Sequence, residues 1–170
     1  MVQRRGAGHL ERSLESLETL LSGDFEFRLS SAEMYLQSCK ACEDHNWNFS
    51  VVIAWALVER LLRLLWERWL DANVDRPVGN QGEKFINSKR RDKFVKGDEF
   101  TASVVSEILS QQGQLEFPLY KKLNEARRAR NKWLHKLESV TVHDAFLSLE
   151  LVGEMLMRVE GINLRLVSNG

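Results

Sequence analysis

Residues 49–71 read FSVVIAWALVERLLRLLWERWLD and contain the most apolar run of the chain. Residues 51–58 are apolar on every side of a helix, which is typical of a helix buried at the centre of a protein. The stretch without Asp, Glu, Lys or Arg covers only residues 45–58, whereas a membrane span needs roughly 20 apolar residues. We therefore expect a central core helix and no contact with a membrane.

Helical patterns flank this segment on both sides. They predict further helices over residues 10–21, 31–43, 100–111, 118–138 and from a cap at Thr141 to about 163, with a short one near 83–93. Residues 72–99 form a long basic connection. The whole pattern predicts an all-α fold, an antiparallel bundle of five to six helices. We expect a flexible N-terminus at 1–8, one helical domain over 9–165 and a C-terminal tail at 166–170.

Two details of this pattern predict local structure. Ser30 followed by Glu33 has the spacing of a capping box and places a helix start near residue 31. The last helix carries two apolar stripes, one of which is a candidate contact with another chain. The first stripe is Ala145, Leu149, Val152, Leu156 and Val159, and the second is Leu147, Leu151 and Met155.

The composition is that of an ordinary globular protein of 170 residues, with 44% apolar and 28% charged residues. The N-terminus has no apolar secretion segment, and two Cys do not make a disulfide framework. We expect a cytoplasmic protein without cofactor or metal. Cys39 and Cys42 form a C-x-x-C pair without a second pair to complete a zinc site, so we interpret them as small buried residues.

The net charge of zero hides a segregation of charge. Residues 121–136 carry seven Lys/Arg and one acid, and residues 84–96 carry six Lys/Arg and one acid. The rest of the chain is acidic. Two basic patches on an acidic protein predict a focused anion-binding surface. The 84–96 patch is open to two interpretations, a substrate-contacting segment or a charged linker.

The densest group of chemically capable side chains lies in the first basic patch. Arg127, Asn131 and His135 follow at steps of four and share one helix face, with Arg130 on the adjacent face. We expect an apolar side of this helix to anchor it, and that side comprises Trp133, Leu134 and Leu137.

These residue types suit the cleavage of RNA without a metal. An imidazole, with an ordinary pKa of about 6.5, can remove the proton of a 2′-hydroxyl near neutral pH. The hydroxyl oxygen then attacks the neighbouring phosphorus. A guanidinium stabilises the negative charge that gathers on the phosphoryl oxygens. One set supplies only one acid–base group, whereas a two-fold dimer supplies a second.

The segment Arg130-Asn131-Lys132-Trp133-Leu134-His135 resembles the R-N-x-x-x-H motif of HEPN domains (higher eukaryotes and prokaryotes nucleotide-binding). Residues 54–63 are similar to the second core helix of that family, and residues 140–145 to the helix start after its motif. The resemblance covers about residues 30–160.

The resemblance implies a homodimer whose two motifs meet in one cleft and cut RNA to leave 2′,3′-cyclic phosphate ends. Arg130 and His135 would be catalytic, with Asn131 in the polar position after the arginine. Glu59 would be a polar group near the site. Independently of the resemblance, the local excess of cations makes Arg127, Arg128, Lys132 and Lys136 candidates for binding the RNA backbone. The resemblance further implies a bacterial toxin or anti-phage nuclease, often restrained by an antitoxin or regulatory partner.

Other interpretations of the same residues stay open. The chain can be a non-catalytic helical module that binds nucleic acid, a nucleotide or a partner protein, or a pure oligomerisation scaffold. Glu59 can simply pair with Arg63 four residues on. The five Trp residues are expected in core and interface positions rather than as a base-stacking platform.

Overall fold

A computed structural model of the chain describes residues 25–78, 83–84 and 86–161. The predicted helix over 10–21 and the predicted termini at 1–8 and 166–170 lie outside these residues. The elements in chain order are α1 (Phe25–Glu43), α2 (Trp47–Asn73), β1 (Pro77–Val78), β2 (Glu83–Lys84), α3 (Ser88–Lys96), α4 (Ala102–Gln111), α5 (Phe117–Lys136) and α6 (Val142–Glu160). The prediction of an all-α helical bundle is confirmed. In the part of the chain described, no helix is long and apolar enough to cross a bilayer.

Helix α2 is the centre of the bundle, as its apolar sequence predicts. Val51, Leu57, Leu61 and Leu70 are fully buried on it. Helices α1 and α6 cover most of its surface, and α4 and α5 pack beside them. The burial of this one helix on several sides therefore organises the bundle.

Both apolar stripes of α6 are covered within the chain. Leu151, Val152 and Met155 are fully buried, and Leu147 packs half-buried against the same core. The expectation that one stripe contacts another chain is wrong, because α6 lies between α2 and its neighbours and needs both stripes for the core.

Helix boundaries depend on local caps. The Thr141 side chain accepts from the Asp144 amide, and Asp144 accepts from the Thr141 amide, so the predicted cap of α6 is confirmed as a full capping box. Gly161, with φ of 68°, ends α6 earlier than the predicted residue 163. Helix α5 ends at Lys136, two residues before the predicted end at 138, with Leu137 as its C-cap.

The predicted capping box at Ser30 and Glu33 is wrong. Helix α1 already begins at Phe25, and Ser30 lies inside it. The Ser30 hydroxyl donates to the Phe27 carbonyl at 3.1 Å and accepts from Arg60 Nη1 at 2.8 Å. Its side chain thus bonds the preceding turn of its own helix rather than an exposed helix end.

The 72–99 connection contains more structure than its sequence predicts. Strands β1 and β2 pair antiparallel over two residues each. Helix α3 follows at 88–96, later than the predicted 83–93, since Asn87 accepts from the Arg90 amide and caps it. No residue of α3 is fully buried. This helix therefore lies on the surface of the bundle.

A buried ionic group ties the first described helix to the last. Glu160, whose side chain is 4% exposed, accepts from Arg28 Nε at 2.8 Å and from Arg68 Nη2 at 2.9 Å. Arg68 also donates to the Val159 carbonyl. The group joins α1, α2 and α6 at one end of the bundle.

Candidate active site on helix α5

The motif lies on helix α5, which buries only a narrow face against the bundle. Leu123, Ala126 and Ala129 are buried against the bundle. The small alanines let the helix backbone lie close to its neighbours. The charged residues between these positions therefore remain at the surface.

The motif residues are brought partly together. Arg130 Nη1 donates to Asn131 Oδ1 at 3.0 Å, so the guanidinium turns toward the face that carries Asn131. His135 follows one helical turn later on that face and is exposed. Among the described residues, no hydrogen bond links His135 to either residue. One turn earlier, Arg127 Nη2 donates to Asn124 Oδ1 at 3.1 Å.

Most cations of this helix have no carboxylate partner. Within residues 121–136, the described ion pairs involve only Lys122, which bonds Glu150 and Glu154 of α6. Its hydrogen bond to Glu154 raises the pKa of Lys122 above its ordinary value. The six cations of this stretch without such a partner among the described residues are Lys121, Arg127, Arg128, Arg130, Lys132 and Lys136. They remain available to an external anion.

The C-terminal end of α5 departs from its predicted packing. Trp133 packs half-buried against the core, but Leu134 and Leu137 do not anchor the helix. Leu137 is 77% exposed and adopts the left-handed conformation with φ of 55°. An exposed leucine in this region costs conformational energy without gaining burial.

Further apolar side chains are exposed at the same end of the bundle. The five-residue connection 137–141 leads into α6, whose first turns expose Val142 and Phe146. We call Leu134, Leu137, Val142 and Phe146 the apolar end patch. His135 lies in sequence between its first two members. A protein surface seldom exposes several large apolar side chains close together unless a partner covers them.

Glu59 does not join the motif. It is exposed on α2 at the rim of a cavity whose lining, in the described part of the chain, includes no α5 residue. Its alternative partner Arg63 instead pairs with Glu67, with Nε and Oε1 3.6 Å apart. Sequence alone could not place Glu59, because a helix position does not tell which neighbour it faces.

The cysteines have the character of buried thiols. Cys42 is buried and Cys39 half-buried on α1, and burial raises the pKa of both. Burial also raises the pKa of Tyr35, which is hydrogen-bonded to Cys39, to about 12.

No group of three His, Cys, Asp or Glu side chains in the described residues is placed to hold a metal.

The tryptophans occupy core positions. Trp55 and Trp66 are buried, and Trp47, Trp69 and Trp133 pack half-buried on the core. Trp66 also stacks with Phe100 beside the cavity at Glu59. Sequence reasoning missed this cavity, although Phe94 and Phe100 stand out as aromatic residues within a highly charged segment.

Comparison of the chain with protein families, with curated proteins and with solved structures finds no match in any of the three.

Proposed function

We propose that the chain is a homodimeric, metal-independent endoribonuclease of the HEPN type. The observation that carries the proposal is the arrangement on α5. A guanidinium turned onto Asn131 and an exposed imidazole one turn further share a helix face with cations that lack carboxylate partners. An RNA backbone is the polyanion that such a surface suits.

The reaction follows from these groups. The His135 imidazole removes the proton of a ribose 2′-hydroxyl, and the oxygen attacks the adjacent phosphorus. Arg130 stabilises the negative charge on the phosphoryl oxygens. The 5′-oxygen leaves with a proton from the partner's His135. The products are a 2′,3′-cyclic phosphate and a 5′-hydroxyl end.

The apolar end patch supports the dimer in this proposal. Leu137 holds a strained backbone conformation and an exposed apolar side chain beside His135. Strain of this kind persists where function requires it. A second copy that covers Leu134 and Leu137 would bring two motifs close to one another.

The remaining cations serve to hold substrate. Arg127, Arg128, Lys132 and Lys136 contact phosphates on either side of the cut bond, which makes binding depend strongly on salt. Asn131 is a positioning residue, since it acts on the phosphate through Arg130. The setting we propose is a bacterial toxin or anti-phage nuclease, with an antitoxin or regulatory partner, in the cytoplasm.

The test is RNA cleavage by single variants of the full chain. His135→Asn and Arg130→Ala should each lower the rate by about 100-fold or more, because each removes a group that acts in the transition state. Arg130→Lys should rescue little, since lysine lacks the paired donors. The control is His45→Asn, an exposed histidine outside α5. Cleavage should persist in EDTA. Full activity of both α5 variants would disprove the proposal.

A partner-binding module is the second candidate. The observation that favours it is an exposed apolar row on α1, Phe25, Leu29 and Leu36, with Phe49 at the start of α2. Such a row is large for a surface without a partner. If the wild-type protein cuts no RNA and the double variant R130A/H135A keeps the cellular effect, this candidate replaces the nuclease.

A further inference from the structure

A cavity of about 290 Å³ opens between α2, α3 and the start of α4. Its floor is apolar and is made of Leu62, Trp66, Phe94, Phe100 and Val105. Its rim is charged or polar and includes Glu59, Arg63, Lys96, Asp98 and Thr101. A cleft with an apolar floor and a polar, charged mouth can hold a flat ring against the floor and hydrogen-bond its edge at the mouth.

The floor offers aromatic faces. The rings of Phe94 and Phe100 have centroids 4.9 Å apart, and Trp66 stacks on Phe100 at 5.8 Å with an angle of 21°. Trp66 is buried, whereas both phenylalanines are only half-buried. A planar ring that enters the cavity therefore packs against two phenyl rings that already contact each other, one of which also stacks with Trp66.

The cavity is held open by contacts from α2. Arg63 Nη2 donates to the Val95 carbonyl at 2.5 Å, and Trp66 Nε1 donates to the Phe94 carbonyl at 3.1 Å. At Gly97 an added Cβ would lie 2.7 Å from the Lys93 carbonyl oxygen, so this turn requires glycine. These contacts fix the end of α3, and a ligand would find the site preformed.

Helix α3 presents a row of cations next to this cavity. Lys89, Lys93 and Lys96 follow at steps of four and three, which places them on one side of the helix. All three are exposed, and none takes part in an ion pair between described residues. By contrast, Lys84 pairs with Asp75 and Arg91 with Asp71. Lys96 belongs both to this row and to the rim of the cavity.

This juxtaposition of aromatic floor and lysine row matches single-stranded nucleic acid. Unstacked bases bind on aromatic side chains while cations follow the backbone phosphates. The rim carboxylates of Glu59 and Asp98 accept hydrogen bonds. The exocyclic amino group of cytosine or adenine donates to such an acceptor, whereas the carbonyl that uracil carries at the position of the cytosine amino group is repelled by it.

We propose that this cavity binds one amino-bearing base of a single-stranded RNA, with Lys93 and Lys96 on the adjoining phosphates. The proposal rests on the proposed function in taking RNA as the ligand. It assigns the 84–96 patch to substrate binding. It also makes Glu59 a specificity residue of this cavity rather than a neighbour of His135.

Binding is measured separately from cleavage. The full chain with His135→Ala is titrated with the hexamers C6 and U6 at fixed salt, and tryptophan fluorescence reports on the floor. These bases match in size, but cytosine carries an amino group where uracil carries a carbonyl. We expect C6 to bind more tightly than U6. Phe100→Leu should weaken C6 binding about 5- to 50-fold through lost stacking.

Exposed variants keep the test independent of folding. Glu59→Gln should reduce the preference for C6 over U6. The double variant K93Q/K96Q should weaken both hexamers and lower the salt dependence of binding. Matched controls are Glu33→Gln and Lys40→Gln on α1, which should bind both hexamers as the parent does.

Two results would overturn the proposal. One is unchanged C6 binding in both F100L and K93Q/K96Q. The other is cytidine monophosphate binding as tightly as C6, which would assign the cavity to a free nucleotide. A chain that binds C6 as expected but cuts no RNA refutes the nuclease alone. A chain that cuts RNA but shows no effect of these variants refutes the cavity alone.

Discussion

Arg130 and Asn131 are neighbours in sequence, and Arg130 Nη1 bonds Asn131 Oδ1 at 3.0 Å. On an ideal helix their side chains diverge, because consecutive residues point about 100° apart. The hydrogen bond brings the guanidinium toward the Asn131 side and leaves its other donors open to a phosphate. The Asn131 amide therefore orients the Arg130 guanidinium. Because the amide is neutral, it does not cancel the positive charge that attracts the phosphate.

Replacing Asn131 tests this orienting contact. Asn131→Ala frees the guanidinium and should lower kcat for RNA cleavage about tenfold, a smaller loss than removal of the guanidinium itself. Asn131→Asp should lower it further, because a carboxylate would neutralise Arg130. KM should change less than kcat in both variants.

A matched control exists two helical turns before Asn131 on α5. Asn124 Oδ1 also accepts from an arginine, Arg127 three positions later, at 3.1 Å. Asn124→Ala should leave kcat unchanged and affect only RNA affinity. Equal loss of kcat in the Asn124 and Asn131 variants would contradict a special role for Asn131.

The exposed Leu137 gives a prediction in which stability and assembly move in opposite directions. Leu137→Gly relieves the left-handed backbone and should stabilise the isolated protomer by about 1 kcal/mol. It also removes an apolar side chain from the apolar end patch, so dimerisation should weaken. Urea unfolding at low protein concentration and sedimentation at high concentration measure the two effects.

Phe117→Ser serves as the control for assembly, because Phe117 is equally exposed but lies at the opposite end of α5. It should leave the dimer intact. If Leu137→Gly leaves the dimer intact as well, the apolar end patch is not the contact between copies.

Replacing Glu160 should lower the free energy of unfolding more than replacing an exposed carboxylate does. Glu160→Gln leaves Arg28, whose side chain is 9% exposed, without its counter-charge. Loss of one partner of a buried ion pair lowers the free energy of unfolding by about 3 kcal/mol. The exposed pair of Lys40 and Asp44 provides the comparison. Asp44→Asn should change the unfolding free energy by less than about 1 kcal/mol. Chemical denaturation of both variants decides whether burial makes the difference.

The thiols of Cys39 and Cys42 should react slowly in the folded protein. Burial raises the pKa of both, so less thiolate is present at neutral pH than in a free cysteine. The rate of alkylation by iodoacetamide should therefore increase with pH above neutrality. In urea both cysteines should react at the rate of free thiols. Fast alkylation of the folded chain at pH 7 would contradict the burial of these groups.

The sequence by itself determined the all-α class, the central place of α2 and the cap of α6. Each depends on local information, since apolar periodicity and cap hydrogen bonds involve residues within a few positions of one another. For the same reason it predicted that Asn131 and His135 share a face of α5.

Only the tertiary structure decided where separate helices bring their side chains. It directed Glu59 to the cavity beside α3, covered both stripes of α6 and exposed Leu137 instead of burying it. It also gave Ser30 a distant partner, because Arg60 of α2 donates a hydrogen bond to a side chain that the sequence predicts as a helix cap. These outcomes follow from the packing of elements far apart in sequence, which no pattern within a single helix records.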